Sequence, residues 1–195
     1  MAYRTYTTEA IVCGSKPSMT SDKSYLLFTR EAGMLWASAR SVREERSRQR
    51  YALQDFSLIR VSLVKGKSGW RIGSVESVMN PFMQAHSRLG RTGVAYLVKL
   101  IRRYVHGEQP IESVFDDMAT AFLLTQTLTD VTELVRLQQV AEVRLLRTLG
   151  YVADTTVLHE ILREPQLTEA LQVYTSDLES AVSRAIGKAA EVSHL

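Results

Sequence analysis

The chain is 195 residues long, 45% hydrophobic and 23% charged, a composition that excludes a disordered or fibrous protein and supplies a buried core. Its formal net charge of +3 hides an uneven distribution: residues 1–80 hold 13 Lys and Arg against 7 Asp and Glu, and residues 81–195 hold 11 against 14. Only the first part is therefore expected to face a polyanion.

Residues 1–80 carry short β-branched and aromatic runs separated by Gly, Ser and Pro. They predict strands over about 5–12, 24–29, 34–39, 56–65 and 70–78. Gly14-Ser15-Lys16-Pro17-Ser18 reads as a loop, Glu31-Ala32-Gly33 as a tight turn, and Lys65-Gly66-Lys67-Ser68-Gly69 as a hairpin tip. In the fourth run Phe56, Leu58, Arg60, Ser62 and Val64 share one face, and Ile59, Val61 and Leu63 share the other. Both faces are partly apolar, as in a strand wrapped into a small barrel. Five antiparallel strands expose their edges unless they close, and a five-stranded barrel of the OB type closes them.

Near residue 80 the hydrophobic period changes from two to three and four. Val94, Leu97, Val98, Ile101 and Val105 form a stripe that predicts a helix over about 92–106, stopped by Gly107. A second helix is expected over 110–128, where Val114, Met118, Ala121, Phe122 and Thr125 share a face. Asp130 with Glu133 resembles a capping box before a third helix over 131–149. The apolar surface of that helix is too wide for one contact, which makes it the central element, and Gly150 ends it. Helices over 155–163 and 166–187, parted by Pro165, complete the chain. The expected fold class is α+β, strands first, with an OB-fold barrel over 1–80 and an all-α domain over 81–195.

Catalytic motifs fail on inspection. Gly66-Lys67-Ser68 imitates the end of a phosphate-binding loop, but Val61 stands where the first glycine belongs and a strand follows. His159-Glu160-Ile161-Leu162-Arg163 begins like a zinc-protease helix, with Arg163 in place of the second histidine. His86, His106, His159 and His194 are scattered singly, and the neighbours Asp116 and Asp117 diverge on a helix. With the single cysteine, Cys13, neither a disulfide framework nor a thiolate metal site can form within the chain. No enzyme, cofactor, metal or small-molecule substrate is expected. The opening Met1-Ala2-Tyr3-Arg4-Thr5 lacks the apolar stretch of a secretory signal, and no run approaches the ~20 apolar residues of a membrane helix. A cytoplasmic, nucleoid-associated protein is expected.

The strongest local signal lies between the third and fourth strands. Arg40, Arg43, Arg46, Arg48 and Arg50 fall within eleven residues. A guanidinium fork suits bidentate phosphate contact and stacks on unpaired bases. Lys65, Lys67 and Arg71 lie on the following hairpin, with Trp36, Tyr51 and Trp70 as flat partners, although Trp36 also reads as core. Cations that follow a backbone and rings that stack on bases are what a single-strand binder needs. The bland alternative is a solvated loop in which Glu44 and Glu45 neutralise two arginines. Lys99, Arg102 and Arg103 form a second basic group, either an extension of the DNA track or the wet side of their helix.

Several segments, in order, resemble the bacterial recombination mediator family RecO. They are Glu9-Ala10-Ile11-Val12, Leu26 through Leu35, Ala39-Arg40, Arg46-Ser47-Arg48, Ala52 through Phe56, and Glu142 through Tyr151, ending in Leu-Gly-Tyr. The resemblance implies an OB-fold followed by a helical domain. It also implies binding of single- and double-stranded DNA, annealing of complementary strands, and help in loading RecA onto DNA coated by single-strand-binding protein, usually with RecR. The family's basic surface carries over to Arg40, Arg46 and Arg48. The sequence departs in lacking the four-cysteine zinc module after Leu-Gly-Tyr, in ending earlier than most members, and in having Gln138-Gln139-Val140-Ala141 where aromatic and basic residues are usual. The last departure puts docking of the single-strand-binding protein's acidic tail in doubt. Two other readings stand beside this one: a protein–protein adaptor without annealing activity, and an RNA-binding OB module.

Overall fold

The computed structural model describes residues 5–18 and 21–193; the opening Met1–Arg4 and His194 lie outside them. The chain divides into two compact units, one of Met1–Gln84 with Val105–Phe115, the other of Ala85–Tyr104 with Asp116–Leu195.

The first unit is a closed five-stranded barrel in the order β1-β2-β3-β5-β4, with β4 returning to β1. The strands are β1 (Thr5–Pro17), β2 (Lys23–Thr29), β3 (Gly33–Ala39), β4 (Leu58–Gly66) and β5 (Gly69–Met79). This is the OB arrangement expected from the strand count. Strand β1 pairs with β4 along Thr5–Ile11 and with β2 along Ala10–Pro17, so it serves both neighbours. A register shift between Val12 and Gly14 bends it between the two partners, as a bulge does. Gly14–Pro17 is therefore strand, not the expected loop, because pairing to β2 overrides the local glycine, serine and proline signal. The last closure is narrow: β3 and β5 run parallel through Ala37↔Trp70 and Ser38↔Arg71.

The alternation of β4 holds. Ile59, Val61 and Leu63 are fully buried among Ala10, Val12, Leu27 and Leu35, while Arg60 is exposed. The strand starts at Leu58 rather than Phe56. Phe56 has a φ of 72°, donates its N–H to the Val12 carbonyl at 2.9 Å, and stacks its ring on Phe82 at 4.9 Å. Trp36 is not core: its strand neighbours Leu35 and Ala37 face inward, and it is 44% exposed.

Between β3 and β4 a single helical turn, α1 (Gln49–Ala52), appears, and α2 (Pro81–Gln84) follows β5. The second unit holds α3 (Arg88–Tyr104), most of α4 (Glu112–Thr125), α5 (Val131–Thr148), α6 (His159–Arg163), α7 (Leu167–Val173) and α8 (Ser176–Ser193). Asp130 caps α5 by accepting from the Thr132 N–H at 2.9 Å. Nine residues of α5 are buried, and it contacts α3, α6, α7 and α8, which makes it the central helix. The predicted helix 155–163 begins only at His159, after a turn in which Leu158 donates to the Thr155 carbonyl. The predicted helix 166–187 is two helices. Arg136 donates to the carbonyls of Leu171 and Tyr174, so the end of α7 is satisfied by a side chain instead of by helix continuation.

Candidate nucleic-acid interface

The segment from Arg40 to Ser57 lacks regular structure apart from α1, yet it is anchored throughout. Val42, Ala52 and Leu53 are buried, the first and last within the barrel core. Ser41, with a φ of 49°, donates its N–H to Asp22 Oδ1 at 2.8 Å, and the Arg43 N–H reaches the Ser21 carbonyl at 3.1 Å. Gln49 Nε2 donates to the Gly73 carbonyl at 3.1 Å, fastening the loop to β5. Apolar residues at the two ends are held inward. The arginines between them face outward as a direct consequence.

Arg40, Arg43, Arg46 and Arg48 are exposed to differing degrees and Arg50 is half-buried. Arg46 Nε meets Glu44 at 3.3 Å, but the Arg46 side chain is 91% exposed, so the pair holds it loosely. Among the described residues Arg40 and Arg48 have no carboxylate partner. Arg50 donates to the Tyr51 hydroxyl at 2.9 Å and lies 4.8 Å from that ring, forming a cation–aromatic pair on the surface.

Two clefts flank the loop. One, of about 290 Å³, is lined by Ser38, Arg40, Gln49, Val64, Arg71, Ile72 and Gly73, and so brings the first arginine of the loop to the basic residue of β5. The other, of about 480 Å³, holds Lys23, Tyr25, Arg43, Arg50, Gln54 and Asp55 among its lining residues. The Tyr25 phenol there is pushed up to about 12, chiefly by burial and then by Asp55, so it stays neutral. Along β3 Trp36 and Ser38 face outward, and the exposed Arg40 follows directly after the strand. Lys16 Nζ sits 4.2 Å over the Trp36 ring, and Lys23 Nζ 5.8 Å over Tyr25.

Sequence reasoning passed over Lys16 and Lys23, because both flank or fall in the stretch taken as a loop. The alternation of β3 could have turned Trp36 outward, since Leu35 and Ala37 are the apolar partners. On the hairpin Lys67 is exposed, whereas Lys65 is engaged: Glu108 accepts from its Nζ at 2.9 Å, and that Nζ lies 4.8 Å over the half-buried Trp70. In the helical unit Lys99 and Arg102 are exposed. Arg103 is half-buried, with its guanidinium 5.1 Å from the Tyr104 ring.

The sequence that builds this barrel is similar to known proteins. Residues 1–81 match the family described as Recombination protein O N terminal. The chain is 32% identical to the DNA repair protein RecO of Pelotomaculum thermopropionicum over 112 residues, 56% of this chain and 43% of that protein. It is 31% identical to the DNA repair protein RecO of Syntrophus aciditrophicus over 150 residues, 75% of this chain and 56% of that protein. The chain is similar to RecO proteins, and its first 81 residues match that family's N-terminal model. The namesake of Clostridium novyi is 26% identical over 150 residues, 76% of this chain and 57% of that protein. The chain thus spans about half the length of the curated relatives it matches. Among the described residues no helix is long and apolar enough to cross a membrane.

Proposed function

We propose that this RecO-like chain is a DNA-binding recombination mediator acting in DNA repair. It binds single- and double-stranded DNA through the barrel, anneals complementary strands and assists loading of RecA, with RecR and single-strand-binding protein as further partners. The observation that carries the reading is the convergence of Arg40 and Arg71 on one cleft beside an anchored loop whose Arg48 has no carboxylate partner among the described residues. Guanidinium groups held outward by buried anchors are ready to meet phosphates without prior rearrangement. Trp36, exposed on the strand that leads into Arg40, supplies a face for an unpaired base.

Phosphate charge dominates affinity in such a complex, because each neutralised phosphate releases counterions. Two strands whose charge is screened along the same surface repel each other less, so pairing accelerates without a covalent step. The proposal assigns the chain no catalytic residue. Lys67 at the hairpin tip extends the basic track, with Arg43, Arg46 and Arg50 along the loop.

The test is a salt titration of affinity for a single-stranded oligonucleotide. Replacing Arg40 and Arg71 together by Ala weakens binding to all sequences and flattens the salt dependence by about 0.7 for each phosphate that is no longer neutralised. An unchanged slope counts against this cleft. Acceleration of oligonucleotide pairing by the wild-type chain separates the mediator from an adaptor, which leaves the pairing rate as it is. An RNA-binding module would instead prefer the RNA strand of one sequence, since that discrimination needs the 2′-hydroxyl.

A further inference from the structure

The segment Val105–Phe115 belongs to the barrel unit although it follows α3 in sequence, and it forms a strap against the β2–β3 turn. The Gly107 carbonyl accepts from the Met34 N–H at 2.9 Å. Gly33 lies so close beneath the strap that an added Cβ would clash with the Gln109 carbonyl oxygen. Gly107 takes a φ of +79°, a conformation that glycine accepts without strain. Between these two seated residues Glu108 projects to the β4–β5 hairpin and accepts from Lys65 Nζ at 2.9 Å. Lys65 in turn lies over the Trp70 ring. Hydrogen bonding from Lys65 leads the causes that hold the Glu108 carboxyl below its ordinary value, so the acid stays ionised at neutral pH.

A carboxylate on a lysine beside an aromatic ring imitates what a nucleic-acid phosphate would do there. We infer that the Gly107–Gln109 strap sets the affinity of the DNA face, with Glu108 holding Lys65 until a phosphate displaces it. The inference rests on the proposed DNA binding and adds a negative element to it. Binding a strand then exchanges one ion pair for another at this point, with little net counterion release. Removing the negative charge makes Lys65 a full phosphate contact. The pair is exposed, 59% for Lys65 and 46% for Glu108, so breaking it leaves the fold intact.

The experiment measures affinity of the full chain for a single-stranded oligonucleotide across a salt series. The chains compared are wild type, Glu108→Gln, Lys65→Gln and the double variant. Glu112→Gln, a change of the exposed acid at the start of α4, serves as control. Glu108→Gln is expected to tighten binding on the order of fivefold at low salt and to steepen the salt slope by about 0.7. Lys65→Gln should abolish most of that gain, and Glu112→Gln should leave affinity unchanged. A gain that persists undiminished without Lys65 is general charge relief and overturns the inference. Wild-type binding with no effect of Glu108→Gln overturns it too, while leaving the DNA-binding reading in place. Absence of wild-type binding even in dilute buffer removes that reading, and this inference with it.

Discussion

Arg144 of the helical unit and Arg40 of the barrel unit carry the same guanidinium into opposite surroundings. Arg144 is 9% exposed; its Nε and Nη2 meet Asp117 at 2.8 and 3.3 Å, and its Nη1 donates to the carbonyls of Ile161 and Glu164 at 3.1 and 2.7 Å. Those bonds tie α5 to α4 and to the end of α6. Arg40 stands exposed at the mouth of a cleft and has no carboxylate partner among the described residues. A guanidinium satisfied on several sides cannot leave to meet a ligand, whereas one held only by its backbone is available. The number of internal partners, and not the residue type, separates structural arginines from recruiting ones.

The largest expected effect breaks the structural member. Asp117→Ala leaves Arg144 buried without its counter-ion and should cost about 3–5 kcal/mol of stability, read as a lower midpoint in urea unfolding. Arg40→Ala should leave that midpoint within about 0.5 kcal/mol of wild type. Similar midpoints for both variants would dissolve the distinction between the two arginines.

A second change sharpens the barrel side of the comparison. Trp36 is exposed and touched by Lys16 from above. Trp36→Ala should lose about 1–3 kcal/mol of binding to single-stranded DNA, the worth of one stacked base. Its stability should fall by no more than about 1 kcal/mol, the scale of an exposed cation–aromatic contact. Fluorescence anisotropy with a labelled oligonucleotide gives the first quantity and urea unfolding the second. A large loss of stability with no loss of binding would return Trp36 to a packing role.

Much of the barrel was legible because a period of two survives in the residues themselves. Ile59, Val61 and Leu63 alternate with Arg60 and Ser62, and the structure keeps them on opposite faces. The stripe Val94, Leu97, Val98 and Ile101 is equally plain, and all four are buried. What escaped was set by partners distant in sequence. Gly14–Pro17 is strand because β2 lies beside it, and nothing in Gly-Ser-Lys-Pro announces that. The break between α7 and α8 carries no glycine or proline; it is made by Arg136, 38 residues before Tyr174. The arginine loop could be located from sequence, but not how its members differ, since Glu44 meets only Arg46 among the described ion pairs and Glu108 reaches Lys65 across 43 residues.

The smallest expected effect probes a second buried acid of the helical unit. Glu142, 8% exposed, accepts a hydrogen bond from the Tyr96 hydroxyl. Burial raises its carboxyl above the ordinary 4.5, against the lowering pull of the Tyr96 hydrogen bond and of Arg103. In the unfolded chain the group ionises near the ordinary value, so between the two values the folded state holds more proton than the unfolded state. Stability from this group is therefore present below 4.5 and lost as pH rises through the higher folded value. At neutral pH the ionised form is the disfavoured one. Glu142→Gln keeps an acceptor for Tyr96 without the charge, and should gain about 1 kcal/mol or less at pH 7. The gain should shrink toward zero as the pH is lowered to about 4, where wild type carries the proton itself. Urea midpoints of both chains across that range measure this. A variant destabilised most at neutral pH, with the loss fading as the pH falls, would mean that the charge itself, facing Arg103, stabilises the bundle.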